Sequence, residues 1–219
     1  MPSPTSADEP ATLDDPAAHP LVAAADPALA AFIRRAGPYE TRHGQGDPLA
    51  SLARAIVFQQ LATRAAAAIH RRFVEAIGGS VTADAILATA PETLRAAGLS
   101  GSKTTSLIDL AAKTRDGAVP LSGIERLSDE EIVARLTTVR GIGRWTAEMF
   151  LLFELRRPDV WPVDDLGVRR GWTLIHELPG IITPRALEPE GDRFRPWRSV
   201  VAMYCWHAVH VERGTAPIP

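Results

Sequence analysis

From about residue 20 onward, apolar positions recur at helical spacing along nearly the whole chain. Asp47-Pro48 reads as an N-cap followed by a proline in the first turn. It opens a predicted helix from 49 to about 60, with Leu52, Ala55, Ile56 and Gln59 at helical spacing. Thr63 is read as the cap of the next helix, with Ile69, Phe73 and Ile77 inward and Gly78-Gly79 as its stop. Shorter helices are predicted over 83–89 and 91–96, then a longer one over 102–115 that carries Leu107, Leu110 and Ala111. Ser128-Asp129-Glu130-Glu131 matches a capping box that opens a helix over 131–138. Further helices are predicted over 145–155, over about 166–176 with Asp164 or Asp165 as cap, and over 197–212. Pro158 and Pro162 exclude regular helix between the first two of these. No stretch sustains a period of two between turn signals, so the predicted fold class is all-α.

Composition narrows the class. Of 219 residues, 46% are hydrophobic and 23% charged, an ordinary globular balance. The Pro-, Ala- and Asp-rich residues 1–19 read as a disordered tail, which leaves 20–215 for the folded domain. The formal charge is -2, with a sequence pI near 6.3. A general polyanion binder is usually more basic, so any nucleic-acid contact must come from a local patch. A single cysteine, Cys205 beside Trp206, excludes an intrachain disulfide and any four-cysteine metal or cluster site. His207 and His210 share a helix face without a third ligand nearby, and no dinucleotide or Walker pattern is present. With no apolar run of membrane-spanning length and no signal-peptide order at the N-terminus, the expected location is cytoplasmic.

The segment Val139-Arg140-Gly141-Ile142-Gly143-Arg144-Trp145-Thr146 carries the most chemistry. Glycine permits positive φ and leaves no side chain above the backbone. A Gly-x-Gly turn at a helix start can press its N–H groups against an anion, aided by the helix dipole. About twenty positions further on stands Asp164-Asp165. A phosphate anchor followed by a carboxylate pair points to chemistry on DNA. Gly98-Leu99-Ser100-Gly101-Ser102-Lys103 is a faint echo of the same turn.

The run 136–147 followed by Val160-Trp161-Pro162-Val163-Asp164-Asp165-Leu166-Gly167-Val168 resembles the helix-hairpin-helix DNA glycosylases that have a Gly/Pro-rich loop and an Asp. Within that superfamily it is similar to the 3-methyladenine DNA glycosylase II type. Three further segments agree: Ala55-Ile56-Val57-Phe58-Gln59-Gln60-Leu61, Leu94-Arg95-Ala96-Ala97-Gly98-Leu99-Ser100 with Lys103, and Arg195-Pro196-Trp197-Arg198-Ser199 leading to Tyr204-Cys205-Trp206. The resemblance covers about residues 45–210. It implies a two-lobe helical bundle with an active-site cleft between lobes: a central lobe of about 50–130, and a second lobe made of the N-terminal helix plus about 131–213. Only about forty-five residues precede the region of resemblance, so the expected form is the compact one without an N-terminal β domain.

The resemblance also implies roles. Asp165 is the expected catalytic carboxylate, with Asp164 as runner-up or as the helix cap. Trp145, Trp206 and Phe58 are expected to line the base pocket, and Trp161 and Tyr204 are further aromatic candidates. Gln60 or Leu61 is the expected wedge that fills the gap left by a flipped base. The N–H groups of Gly141, Gly143 and Arg144 and the hydroxyl of Thr146 are expected phosphate donors. Carbonyls around Thr138, Val139 and Ile142 lie where relatives hold a monovalent cation, Na+ or K+. No other cofactor is implied. Arg140, Arg144, Lys103, Arg169 and Arg170 are candidates for added positive charge.

Trp145 stands where bifunctional relatives carry a Schiff-base lysine, so no strand cleavage is expected. The implied activity is hydrolysis of the N-glycosidic bond of alkylated purines such as 3-methyladenine and 7-methylguanine. The expected substrate is duplex DNA carrying the alkylated base, and the protein is expected to act as a monomer. Two alternatives stand beside this: a non-catalytic DNA-binding hairpin protein, and a glycosylase for deaminated, oxidised or mismatched bases.

Overall fold

A computed structural model describes residues 12–39 and 46–214. Among these the chain forms twelve α-helices and no strand. In chain order they are α1 (Ala18–Ala25), α2 (Pro27–Ala36), α3 (Pro48–Phe58) and α4 (Thr63–Ala76). Next come α5 (Ala83–Ala88), α6 (Pro91–Ala96), α7 (Gly101–Arg115) and α8 (Asp129–Leu136). The last four are α9 (Arg144–Phe153), α10 (Leu166–Ile175), α11 (Pro184–Leu187) and α12 (Arg198–Arg213). The chain divides into two compact units, Met1–Arg42 with Arg156–Pro219, and His43–Leu155.

In the second unit, Asp47 caps α3 through Leu49 N and Ala50 N, at 2.9 and 3.1 Å. Ser128 and Glu131 close the predicted capping box on α8. The core of this unit gathers Leu52, Ile56, Phe73, Leu94, Leu107, Leu110, Ile132 and Leu136, all fully buried. Each contributes roughly 1.5–3 kcal/mol by leaving water. Thr63 is not a cap. Ala62 holds that position without a capping side chain, and Thr63 is already helical. α7 starts one residue earlier than predicted, capped by Ser100 through Lys103 N.

The division falls after residue 155 rather than near 130. The hairpin and α9 therefore belong with α3–α7. The cause is a set of bonds that composition does not reveal: Gln59, Asp109 and Lys113 all grip the backbone of the hairpin region.

In the other unit, α10 and α12 cross at a closeness that only glycine permits. A Cβ on Gly171 would lie 1.8 Å from the Cys205 carbonyl oxygen. One helical turn earlier, a Cβ on Gly167 would lie 2.7 Å from Trp206 Cδ1. Residues 12–19, assigned above to a disordered tail, are packed onto this unit. Leu13 is fully buried and its N–H donates to the Arg156 carbonyl at 2.9 Å. Asp14 pairs with Arg156, and His19 Nδ1 lies 2.7 Å from the Tyr204 hydroxyl. One large apolar residue with distant partners suffices to order a segment whose composition is otherwise that of a tail. The rest of the predicted tail, residues 1–11, lies outside the described residues. Two short elements, α11 and a 3-10 helix over Pro189–Phe194, were not foreseen, because they are too short to show a period.

Candidate functional site

Asp165 is the N-cap of α10: its Oδ1 accepts from Val168 N at 2.8 Å. The same oxygen accepts from the indole Nε1–H of Trp206 at 2.9 Å. Asp165 is 9% exposed, whereas Asp164 is exposed. Of the two expected cap candidates, Asp164 and Asp165, it is Asp165 that caps the helix. Its carboxylate is fixed from two directions, by the helix start and by α12. The glycine pair at 167 and 171 makes this possible, since a side chain at 171 would push the Cys205 backbone away and one at 167 would push the Trp206 ring.

Trp206, expected in the base pocket, is 8% exposed and serves as the carboxylate's partner. Trp161 and Tyr204 are core residues. Trp161 is 8% exposed and donates to the Leu187 carbonyl, and Tyr204 is 1% exposed with its hydroxyl on His19. Burial pushes the Tyr204 phenol up to about 12, so it stays protonated at neutral pH. Cys205 is wholly buried, which raises its thiol pKa and leaves it inert. His207 and His210 engage the Ala36 and Trp206 carbonyls. Arg169 and Arg170 are engaged by the Ile182 carbonyl and by Glu212.

The second constellation lies wholly within the other unit. Val139 and Ile142 anchor the hairpin in the core, at 1% and 4% exposure. Gly141 adopts φ 79°, in the left-handed region, and a Cβ there would meet Ser106 Oγ at 2.5 Å. Gly143 caps α9 in extended conformation without a capping side chain. The leading N–H groups of α9, from Gly143 through Thr146, thus have no carbonyl ahead of them in the helix, which is the arrangement that receives an anion. Thr146, expected to offer its hydroxyl to a phosphate, is only 6% exposed. The Arg144 side chain is tied to Glu148 at 2.9 Å.

Asp109 organises the turn. Its Oδ2 accepts from Arg140 N at 2.7 Å and from Lys113 Nζ at 2.8 Å. Burial works against its charge, but these two partners outweigh it and hold the carboxyl below the ordinary carboxylate range. Lys113 also donates to the Thr138 carbonyl. An ammonium group on that oxygen competes with a cation at Thr138, whereas Val139 O, which accepts from Ile142 N at 3.1 Å, keeps a second lone pair. Of the three expected cation carbonyls, Thr138 is thus the one already held by a cationic side chain.

Beside the hairpin is a cavity of about 550 Å³ lined by Phe58, Gln59, Gln60, Trp145, Thr146 and Met149, among others. Trp145, at the first turn of α9, is 46% exposed, unusual for an indole in a folded chain. Phe58 lines the same cavity, but the Arg54 guanidinium sits 3.8 Å from its ring centroid. A face covered by one cation is a poor platform for another. Gln60 is exposed with φ 57°, and Leu61 is 40% exposed, so the expected wedge residues project from the end of α3. The sequence reading missed Gln59, whose amide donates to the Gly141 carbonyl at 2.9 Å. It also missed Asp109, Lys113 and Met149, each of which lies on a predicted helix with only spacing to mark it.

A two-helix hairpin turning on Gly141 and Gly143, followed by a carboxylate fixed at the cap of a later helix, points to a class of DNA repair protein. The family model of the HhH-GPD superfamily base excision DNA repair protein matches residues 53–196, and the chain belongs to that superfamily. DNA-3-methyladenine glycosylase 1 of Schizosaccharomyces pombe is 39% identical over 175 residues, 78% of this chain and 77% of that protein. The solved S. pombe 3-methyladenine DNA glycosylase in complex with abasic DNA superposes with a TM-score of 0.77 at 36% identity, covering 87% and 95% of the two chains. The crystal structure of a DNA-3-methyladenine glycosidase from Bacillus halodurans superposes with a TM-score of 0.84 at 29% identity, covering 94% of each chain.

Proposed function

We propose that this protein is a monofunctional DNA glycosylase that hydrolyses the N-glycosidic bond of alkylated purines, 3-methyladenine and 7-methylguanine, in duplex DNA. The observation that carries the reading is Asp165, a carboxylate fixed by Val168 N and Trp206 Nε1 in a chain that also carries the hairpin. The relatives named above as 3-methyladenine glycosylases support the substrate class.

The chemistry follows from the substrate. A base inside a duplex is out of reach, so the nucleotide must be extruded. Alkylation at N3 or N7 makes the purine cationic and already a good leaving group, so little acid catalysis is needed. As the bond breaks, the sugar gains oxocarbenium character, which the Asp165 carboxylate stabilises, as carboxylates do in sugar hydrolysis. Water then adds to the sugar carbon and gives up a proton, leaving an abasic site. Trp145 offers no amine for a Schiff base, so the strand stays intact. Trp145 stacks on the extruded base, Gln60 or Leu61 fills the gap it leaves, and the amides at the start of α9 hold a backbone phosphate. No cofactor enters this scheme. The reading includes a monomer acting in the cytoplasm, to be checked by sedimentation and by fractionation.

The test is release of free base from methylated duplex DNA by wild type and Asp165→Asn. Asparagine caps a helix as well as aspartate and still accepts from Trp206, so the fold and DNA binding should persist. Activity should fall by about 100-fold or more, the usual cost of losing a preorganised charge partner. Unchanged activity in the variant would remove Asp165 from the chemistry. A wild type that binds DNA and releases nothing would leave a non-catalytic binder, and release only from deaminated or oxidised duplexes would change the substrate class. Borohydride trapping of a covalent adduct would contradict the monofunctional mechanism.

A further inference from the structure

Lys103, a candidate for surface charge in the sequence, is turned inward. Its Nζ donates to the Val57 carbonyl at 2.7 Å and to the Gln59 carbonyl at 2.8 Å. These carbonyls belong to the last turn of α3, where backbone acceptors lack intrahelical donors and the helix dipole is negative. The next residue, Gln60, is a non-glycine residue at φ 57°. That conformation is strained for a residue with a side chain and persists only where its surroundings hold it. Gln59 is held at both ends, its carbonyl by Lys103 and its amide by the Gly141 carbonyl at 2.9 Å. Partial burial lowers the Lys103 pKa, as expected for an ammonium group withdrawn from water to serve protein acceptors.

We infer that Lys103 is a positioning residue that locks the Gln59–Leu61 turn in the strained form able to enter the base stack, and so lowers the work of extruding a paired base. The inference rests on the glycosylase reading. It also gives the faint echo 98–103 a role: the glycine turn before α7 places Lys103 three residues past the Ser100 cap, under the end of α3. Gln60 or Leu61 makes the insertion, and Lys103 touches neither substrate nor reacting atoms.

The test compares wild type with Lys103→Met in single-turnover base release on two duplexes. In one, a single alkylated purine is paired normally; in the other, the same purine stands opposite an abasic site, where extrusion costs less. The expected result is a loss of about tenfold or more on the paired lesion and less than about threefold on the unpaired one. The ratio of the two rates within one preparation is the readout, because partial misfolding lowers both by the same factor. Equal losses, or none, overturn the inference. So does a drop of about one in the salt slope for undamaged duplex, which would make Lys103 a phosphate contact. If wild type releases base from neither duplex, the glycosylase reading falls, and this inference with it.

Discussion

The indole N–H of Trp206 and Oδ1 of Asp165 are 2.9 Å apart, across 41 positions of sequence. That bond fixes the orientation of a carboxylate that the helix cap alone would leave able to rotate about its χ angles. Trp206→Phe removes the donor and keeps most of the ring. A hydrogen bond to a charged group contributes roughly 1.5–3 kcal/mol, so base release should slow by about 10- to 100-fold. Single-turnover kinetics measure this. Combined with Asp165→Asn, the two losses should be far from additive, because both act on one carboxylate. Additive losses would mean that Trp206 acts on the base and not through Asp165.

The glycines that bring this pair together make a separate prediction. Gly171→Ala puts a methyl group 1.8 Å from the Cys205 carbonyl, which is backbone and cannot swing aside. Forced separation of α10 and α12 should cost about 1–3 kcal/mol, seen as a lowered melting temperature. Gly167→Ala meets the Trp206 ring at 2.7 Å and Asp165 Oδ1 at 3.0 Å, so it should cost activity more than stability. If Gly171→Ala melted like wild type, the close helix crossing would be wrong.

Helix positions were legible because apolar spacing and capping residues are local. The Ser128 capping box and the whole of α6 follow from sequence alone, although α8 begins at Asp129, two residues before its predicted start. The hairpin was legible because Gly141 and Gly143 are a local necessity. The partnerships were not. Nothing in the run 98–103 says that Lys103 reaches Val57 and Gln59, and nothing near Asp109 says that it takes the Arg140 N–H. Such bonds depend on how distant helices cross, which spacing does not encode. Leu13 illustrates the same limit in a segment whose composition reads as tail.

Asp109 links the hairpin to pH. Its folded pKa lies below the ordinary value of 3.8. Its contribution is therefore complete above the unfolded pKa and disappears as pH falls through the folded one. The stability difference between wild type and Asp109→Asn should be constant from about pH 5 to 8 and shrink below about pH 4. At neutral pH the variant should bind duplex DNA several-fold more weakly, because a neutral amide holds Arg140 N and Lys113 Nζ less strongly than the carboxylate does and the turn before the α9 amides loosens. Urea unfolding across pH and a binding titration at fixed salt check the two parts. A stability difference that grew as pH fell would reverse the sign of the linkage and refute the assignment.

Trp145 is the aromatic residue best exposed for stacking, at 46%, while Trp206, Trp161 and Tyr204 are occupied in the unit that carries Asp165. A cation over an indole face gains roughly 0.5–2 kcal/mol beyond the contact itself. A methylated purine that carries positive charge should therefore depend on Trp145 more than a neutral purine of the same size does. Trp145→Leu keeps an apolar contact and removes the ring. It should cut kcat/KM for 7-methylguanine by about 2- to 30-fold more than for hypoxanthine, the range set by that energy. Competition between the two lesions in one reaction measures the ratio directly. Equal losses on both would mean that Trp145 supplies only bulk, and that selection of the cationic base comes from its ease of leaving.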